Sequence, residues 1–268
     1  MAFLQMNILS LKLGTQANFS VILPSYVPSK ENANKTYDEI YPKNRRLKTL
    51  WLLSTEYGDD QELLNYTAVL RYAQENNLAV VLPCGYNKLY SNEPKGQKFL
   101  EFITDELWTV CTGTFALSME KEDNYIGGVG LGAYAALKAA IKNPDKYSKV
   151  LMLGGAFGED MKNTYLPDLN KTIIANGFPQ HLPLDEALDE DYEMVNEAKA
   201  LIEENNAPKV SVSYIKEDEL ASYAVKAYEN LKALGFDVTV KEYENIGIYE
   251  CCDEVFKAEF KGFLCGKE

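Results

Sequence analysis

The stretch that most narrows what this chain can become runs from Asn124 to Ala140 and reads N-Y-I-G-G-V-G-L-G-A-Y-A-A-L-K-A-A. A short apolar run, Tyr125 to Val129, meets a cluster of glycines. An Ala- and Leu-rich run of high helix propensity follows. That order predicts a strand, a tight turn and a helix. Two kinds of site are built on such a turn. In one, G-x-S-x-G, it lifts a nucleophilic serine above a sheet. In the other, G-x-G-x-x-G/A, it cradles a pyrophosphate at the start of the helix. Gly128-Val129-Gly130-Leu131-Gly132-Ala133 fits the first frame with Gly130 in place of the serine, and fits the second literally.

The rest of the chain alternates in the same way. Eight strand segments are legible, at 3–8, 17–24, 48–53, 78–83, 125–129, 150–154, 210–214 and 238–243. Segments 48–53 and 78–83 are nearly unbroken apolar runs, as expected of strands covered on both faces. Helical spacing marks 59–76, 97–111, the run that ends at Asn143-Pro144, 192–205, 221–234 and 254–264. Segments 26–46 and 84–96 read as loops. Strands alternating with helices predict an α/β fold, with an eight-stranded, mostly parallel sheet between helices on both faces. The first two strands form an antiparallel hairpin. One domain, 1–268, is expected, with an acidic, irregular, cap-like insertion at 156–206. Ligands of such sheets sit beyond the carboxyl ends of the strands.

Composition removes several function classes. A net charge of −13 argues against nucleic acid and against anionic membrane surfaces. No run approaches the ~18 apolar residues of a membrane span. The N-terminal segment lacks the pattern of a signal peptide, and the 5 cysteines have no framework spacing, so a reduced, cytoplasmic setting is expected. The segment 185–193 (D-E-A-L-D-E-D-Y-E) lacks the glycine and ordering of a calcium loop. Cys251-Cys252 has no C-x-x-C partner for a metal. No cofactor and no metal are expected. A homo-oligomer is compatible with the composition.

The two readings of the glycine turn are separated by its neighbours. A dinucleotide site needs the first strand of a βαβ unit and an acid at the end of the next strand. Here the turn follows about the fifth strand, and the next ends in Leu153-Gly154-Gly155. Both requirements fail. A nucleophile elbow after the fifth of eight strands fits. Further segments carry a resemblance: M-A-F-L-Q-M-N at the start, Arg71-Tyr72-Ala73-Gln74-Glu75 with Leu78 to Pro83, Phe102 to Leu107, Tyr125 to Gly128, Gly132 to Lys138, and Asn143-Pro144. Over nearly its whole length the chain resembles the esterase D family of α/β-hydrolases, which includes S-formylglutathione hydrolases and tributyrin esterases. The resemblance implies the α/β-hydrolase fold and a serine carboxylesterase with a Ser-Asp-His triad in that order.

Carried over position by position, the triad is broken. The nucleophile position falls on Gly130. The acid falls on Asp218, in Tyr214-Ile215-Lys216-Glu217-Asp218. The histidine position falls on Gly247, and the chain's single histidine is His181, inside the insertion. The oxyanion-hole positions are Leu131, after the turn, and Ser54 and Thr55 after the third strand, where Glu56 adds a charge that would repel an anionic substrate. Acyl transfer needs a hydroxyl, a base and amide donors. Two functions stay open. One is an inactive esterase homologue that binds a small molecule or a partner in the former active-site cleft. The other is a weak or rearranged carboxylesterase acting on short acyl esters or thioesters, with Ser54, Cys84 or His181 as displaced groups.

Overall fold

The computed structural model describes residues 1–30, 32–86, 90–93, 95–158, 164–177 and 194–266. β1 (Ala2–Ser10) and β2 (Thr15–Leu23) pair antiparallel from Ala2 with Leu23 to Ser10 with Thr15. A short helix, α1 (Tyr37–Ile40), stands inside the segment expected to be loop. It is held by a reciprocal cap in which the Thr36 hydroxyl accepts the N–H of Glu39 and the Glu39 carboxylate accepts that of Thr36. β3 (Lys48–Leu53) follows, then α2 (Glu62–Tyr66), α3 (Val69–Asn76) and β4 (Leu78–Pro83).

The helix expected over 59–76 is broken in two for a local reason. Thr67 is extended, at φ −134° and ψ 168°. Its hydroxyl accepts the Val69 N–H at 3.2 Å, and Asp253 accepts the Ala68 N–H at 2.6 Å. Two side chains thus satisfy the amides that start α3. Downstream, α4 (Phe99–Glu101) runs through a π-helical segment, Phe102–Leu107, into α5 (Trp108–Thr114). β5 (Asn124–Val129) leads into α6 (Leu131–Lys142), and β6 (Lys149–Leu153) follows.

The remaining described elements are α7 (Leu166–Ala175), α8 (Met194–Glu203), β7 (Lys209–Ile215), α9 (Ala221–Leu234), β8 (Val238–Tyr243) and α10 (Ile248–Glu259). The sequence spacing places the start of the last helix at 254, whereas α10 begins at Ile248. It starts early because Gly247 accepts the Cys251 N–H, and because Cys251 and Cys252 serve as small buried apolar residues beside Val255 and Phe256.

The strands form one sheet in the order β1-β2-β4-β3-β5-β6-β7-β8. β2 meets β4 antiparallel, and every pairing from β4 to β8 is parallel. This is the eight-stranded, mostly parallel α/β sheet that the alternation predicts. Neighbouring side chains of β3 serve opposite faces. Trp51 and Leu53 join the core under α5, α6, α8 and α9, while Leu50 and Leu52 join the one under α3 and α10. Trp51 stacks on Trp108 with ring centres 5.2 Å apart, worth about 0.5–1.5 kcal/mol beyond area burial. α6 is buried on every side from Leu131 to Ile141, so its apolar composition all round is what its position requires.

Candidate functional site

The strand-to-helix turn carries the geometry that positions the site. Gly130 lies between β5 and α6 at φ +56° and ψ −117°. A residue with a side chain would be strained there by about 1–3 kcal/mol, whereas glycine adopts it freely. The Gly130 N–H donates to the Leu153 carbonyl at 2.8 Å, fastening the turn to the end of β6.

Above the turn opens a cleft of about 300 Å³. Its floor includes Val129, Gly130, Leu153 and Ile215, so it stands at the carboxyl ends of β5, β6 and β7. The segment after β3 forms one wall, with Thr55 and Glu56. Asp218 and Tyr249 contribute from beyond β7 and from the start of α10. α7 flanks the opening. Asn176, just past its end, donates to the Tyr57 hydroxyl at 3.3 Å, Asp168 accepts from the Tyr223 hydroxyl at 2.7 Å, and Tyr165 packs edge-on to Tyr223. α8, which the sequence places in the same insertion, is joined instead to α6 by Lys142 and Glu197, 2.8 Å apart.

From that wall the Glu56 carboxyl reaches over the floor at Gly130. Its Oε2 accepts the N–H of Leu131 at 3.4 Å, at the first turn of α6. The N–H of its own residue also supports the carboxyl. The same Oε2 would lie 2.8 Å from a Cβ built on Gly130. The carboxyl therefore occupies the space a side chain at 130 would need. It sits on the Leu131 amide, a backbone donor suited to an oxyanion. Burial is the largest influence on it and raises its pKa. The two amides oppose that shift, and the neighbouring Glu62 and Asp218 add to it.

A raised pKa in the folded state means that Glu56 supports folding fully below its ordinary pKa of about 4.5 and loses that support as pH rises through the shifted value. Glu56→Gln is accordingly expected to be more stable than wild type at pH 7, by about 0.5–2 kcal/mol. The gain should vanish near pH 4. Urea unfolding at both pH values reads this. A variant less stable than wild type at pH 7 would show that the carboxylate is held favourably.

The other sequence-derived positions are placed as follows. The Leu131 N–H is at the cleft. Thr55 lines it, but its N–H and hydroxyl both donate to Glu62, at 3.0 and 2.6 Å. Ser54 turns into the core, with Oγ 3.1 Å from the Tyr90 hydroxyl. Asp218 lies on the cleft wall, with Oδ1 accepting the Leu220 N–H at 2.7 Å. Gly247 is exposed at the N-terminus of α10, while its neighbours Ile248 and Tyr249 line the cleft.

Glu62 escaped the sequence reading. Buried, it also accepts from the Tyr249 hydroxyl at 3.0 Å and so ties the β3 wall to α10. Cys251 and Cys252 are fully buried, and burial lifts their thiols, Cys251 to about 11. Burial also raises Cys84. None of the three is an activated thiolate. His181 and the acids at 185–193 lie outside the described residues. Among the described residues no group of His, Cys, Asp and Glu could hold a metal, and no helix is long and apolar enough to cross a membrane.

The comparisons with known proteins agree with this architecture. The protein-family model described as "Putative esterase" matches residues 10–219. An acetyl esterase of Caldicellulosiruptor saccharolyticus is 27% identical over 253 residues, 91% of each chain. Among solved structures, the fluorophosphonate-binding serine hydrolase F of Staphylococcus aureus superposes with a TM-score of 0.76 over 98% of both chains, at 24% identity. An S-formylglutathione hydrolase of the same organism gives 0.75 over 98% of both, also at 24% identity. These two likenesses establish the fold.

Proposed function

Since the chain belongs to the Putative esterase family and has its α/β-hydrolase fold, we propose that it is a member that no longer hydrolyses esters and uses the cleft to bind a small molecule. The observation that carries this is the floor of the cleft. Where the fold presents a nucleophile there is Gly130, with the Glu56 carboxyl packed over it and on the Leu131 amide. A carboxylate in that place competes with a developing oxyanion for the same donor. Gly247, at the position the resemblance gives to the histidine, has no group that takes a proton. In this reading Asp218 is a vestige of the triad, and α7, from the insertion expected at 156–206, acts as a cap, which its position beside the cleft supports.

Losing the triad of a serine protease costs about 10⁶ in turnover. Wild-type protein is therefore expected to leave p-nitrophenyl acetate and butyrate at the buffer rate and to take no label from a fluorophosphonate probe. Turnover that survives repurification and is abolished by a substitution in the cleft would sink the proposal. It would favour instead a weak or rearranged carboxylesterase on short acyl esters, a reading supported by the acetyl esterase relative.

A further inference from the structure

We propose that the ligand of the cleft is an organic cation, a small ammonium compound whose charged head meets Glu56 and whose hydrocarbon body lies on the apolar floor. The inference rests on the non-hydrolytic reading above and names the chemical class that the site would take.

The charged residues that line the cleft are Glu56, Glu62 and Asp218, with no lysine, arginine or histidine among the described lining residues. The three carboxylates are not equivalent. Glu62 is committed to Thr55 and Tyr249, with contacts at 2.6, 3.0 and 3.0 Å. One oxygen of Asp218 closes the turn onto Leu220, and the residue faces solvent. Glu56 is part-buried, accepts the Leu131 N–H at one oxygen, and has no cationic partner among the described residues. A carboxyl drawn part-way out of water without a counter-charge is costly, and a cation arriving from solution supplies what the fold leaves out.

The rest of the lining fits the same class. Tyr57, Tyr165, Tyr214 and Tyr249 all border the cleft, and aromatic faces attract ammonium groups. Leu153, Leu169 and Ile215 offer a hydrocarbon surface. A bare metal ion would gain nothing from those groups, which separates an organic cation from an inorganic one. An anionic ligand would face three carboxylates. A neutral ester would have to displace Glu56 from the Leu131 amide. The chain's charge of −13 also draws cations toward it. The volume, about 300 Å³, is at the small end of ligand sites, which points to a compact molecule.

The test uses three compounds with one body and different heads: phenethylamine (an ammonium at neutral pH), 2-phenylethanol and phenylacetate. Isothermal titration calorimetry at neutral pH is expected to show the ammonium bound about tenfold or more tightly than either of the others. Glu56→Gln is expected to bring the ammonium down to the level of the alcohol, with folding checked by circular dichroism. Glu229→Gln, which removes an exposed acid on α9, is expected to leave the preference intact and so excludes a general effect of net charge. Equal binding of the alcohol or the anion, a Glu56→Gln protein that keeps the preference, or no binding of any of the three overturns the inference. Each of those results leaves the non-hydrolytic reading standing, because only ester turnover by wild type removes that.

Discussion

Supplying a hydroxyl at 130 and a base at 247, the two triad positions of the proposed reading, is expected to yield no more than a trace of hydrolysis, and removing Glu56 as well is expected to raise the rate about a hundredfold or more. Gly130→Ser supplies a hydroxyl and Gly247→His a base, with Asp218 the carboxylate the resemblance assigns to orient the imidazole. The double variant still carries Glu56. A Cβ at 130 comes within 2.8 Å of its Oε2, so the new hydroxyl side chain and the old carboxyl contend for one space. If Glu56 stays, it holds the Leu131 amide that the tetrahedral oxyanion needs. If it swings aside, a negative charge remains beside a centre that is itself becoming negative. Glu56→Gly removes the side chain and leaves the Leu131 N–H open to an oxyanion. The comparison is initial rates on p-nitrophenyl acetate for wild type, both single variants, the double and the triple. Mass spectrometry of the fluorophosphonate adduct then checks that the label sits on the hydroxyl introduced by Gly130→Ser. Equal rates for the double and the triple would show that Glu56 does not obstruct that donor.

Much of this arrangement is legible in the sequence, and the reason is periodicity. Strands β3 and β4 are buried on both faces, so Lys48–Leu53 and Leu78–Pro83 read as unbroken apolar runs. The glycine frame at 128, 130 and 132 marks the turn because two of its demands are local: a positive φ at Gly130 and the close approach of Gly128 to the Gly132 backbone. The parts that were not legible depend on contacts distant in sequence. The break at Thr67 rests partly on the bond from the Ala68 N–H to Asp253, 185 residues further on. The fold-back of Glu56 onto Leu131 spans 75 residues, and the tie from Glu62 to Tyr249 spans 187. No pattern within a window of one helix or strand carries such information. Glu56 was visible as a charge near the cleft. That its carboxyl fills the place of a side chain at 130 needed the register of β3 against β5, which pairs Leu53 with Gly128.

That register also sets a large stability effect expected of a conservative change, at Gly132. α6 leaves the turn so close to the end of β3 that a Cβ on Gly132 would lie 2.3 Å from the Ser54 carbonyl oxygen and 2.6 Å from that of Leu53. Both obstacles are backbone atoms of the wall that carries Thr55 and Glu56, so no side-chain rotation relieves them. Inserting atoms into a packed core costs about 1–3 kcal/mol and occasionally more, and the clash with backbone places Gly132→Ala at or above about 3 kcal/mol. The urea midpoint should fall with the slope unchanged. Gly113→Ala provides the contrast. It lies in α5, exposed, and its added methyl meets nothing within 4 Å. There the same substitution is expected to be neutral or to stabilise by about 0.4–1 kcal/mol, since alanine has less freedom to lose on folding. The difference between the two variants isolates the close approach from any general effect of replacing glycine. If Gly132→Ala unfolds within about 0.5 kcal/mol of wild type, β3 and α6 are not held as described. The placement of Glu56 over Gly130 would then fail with them.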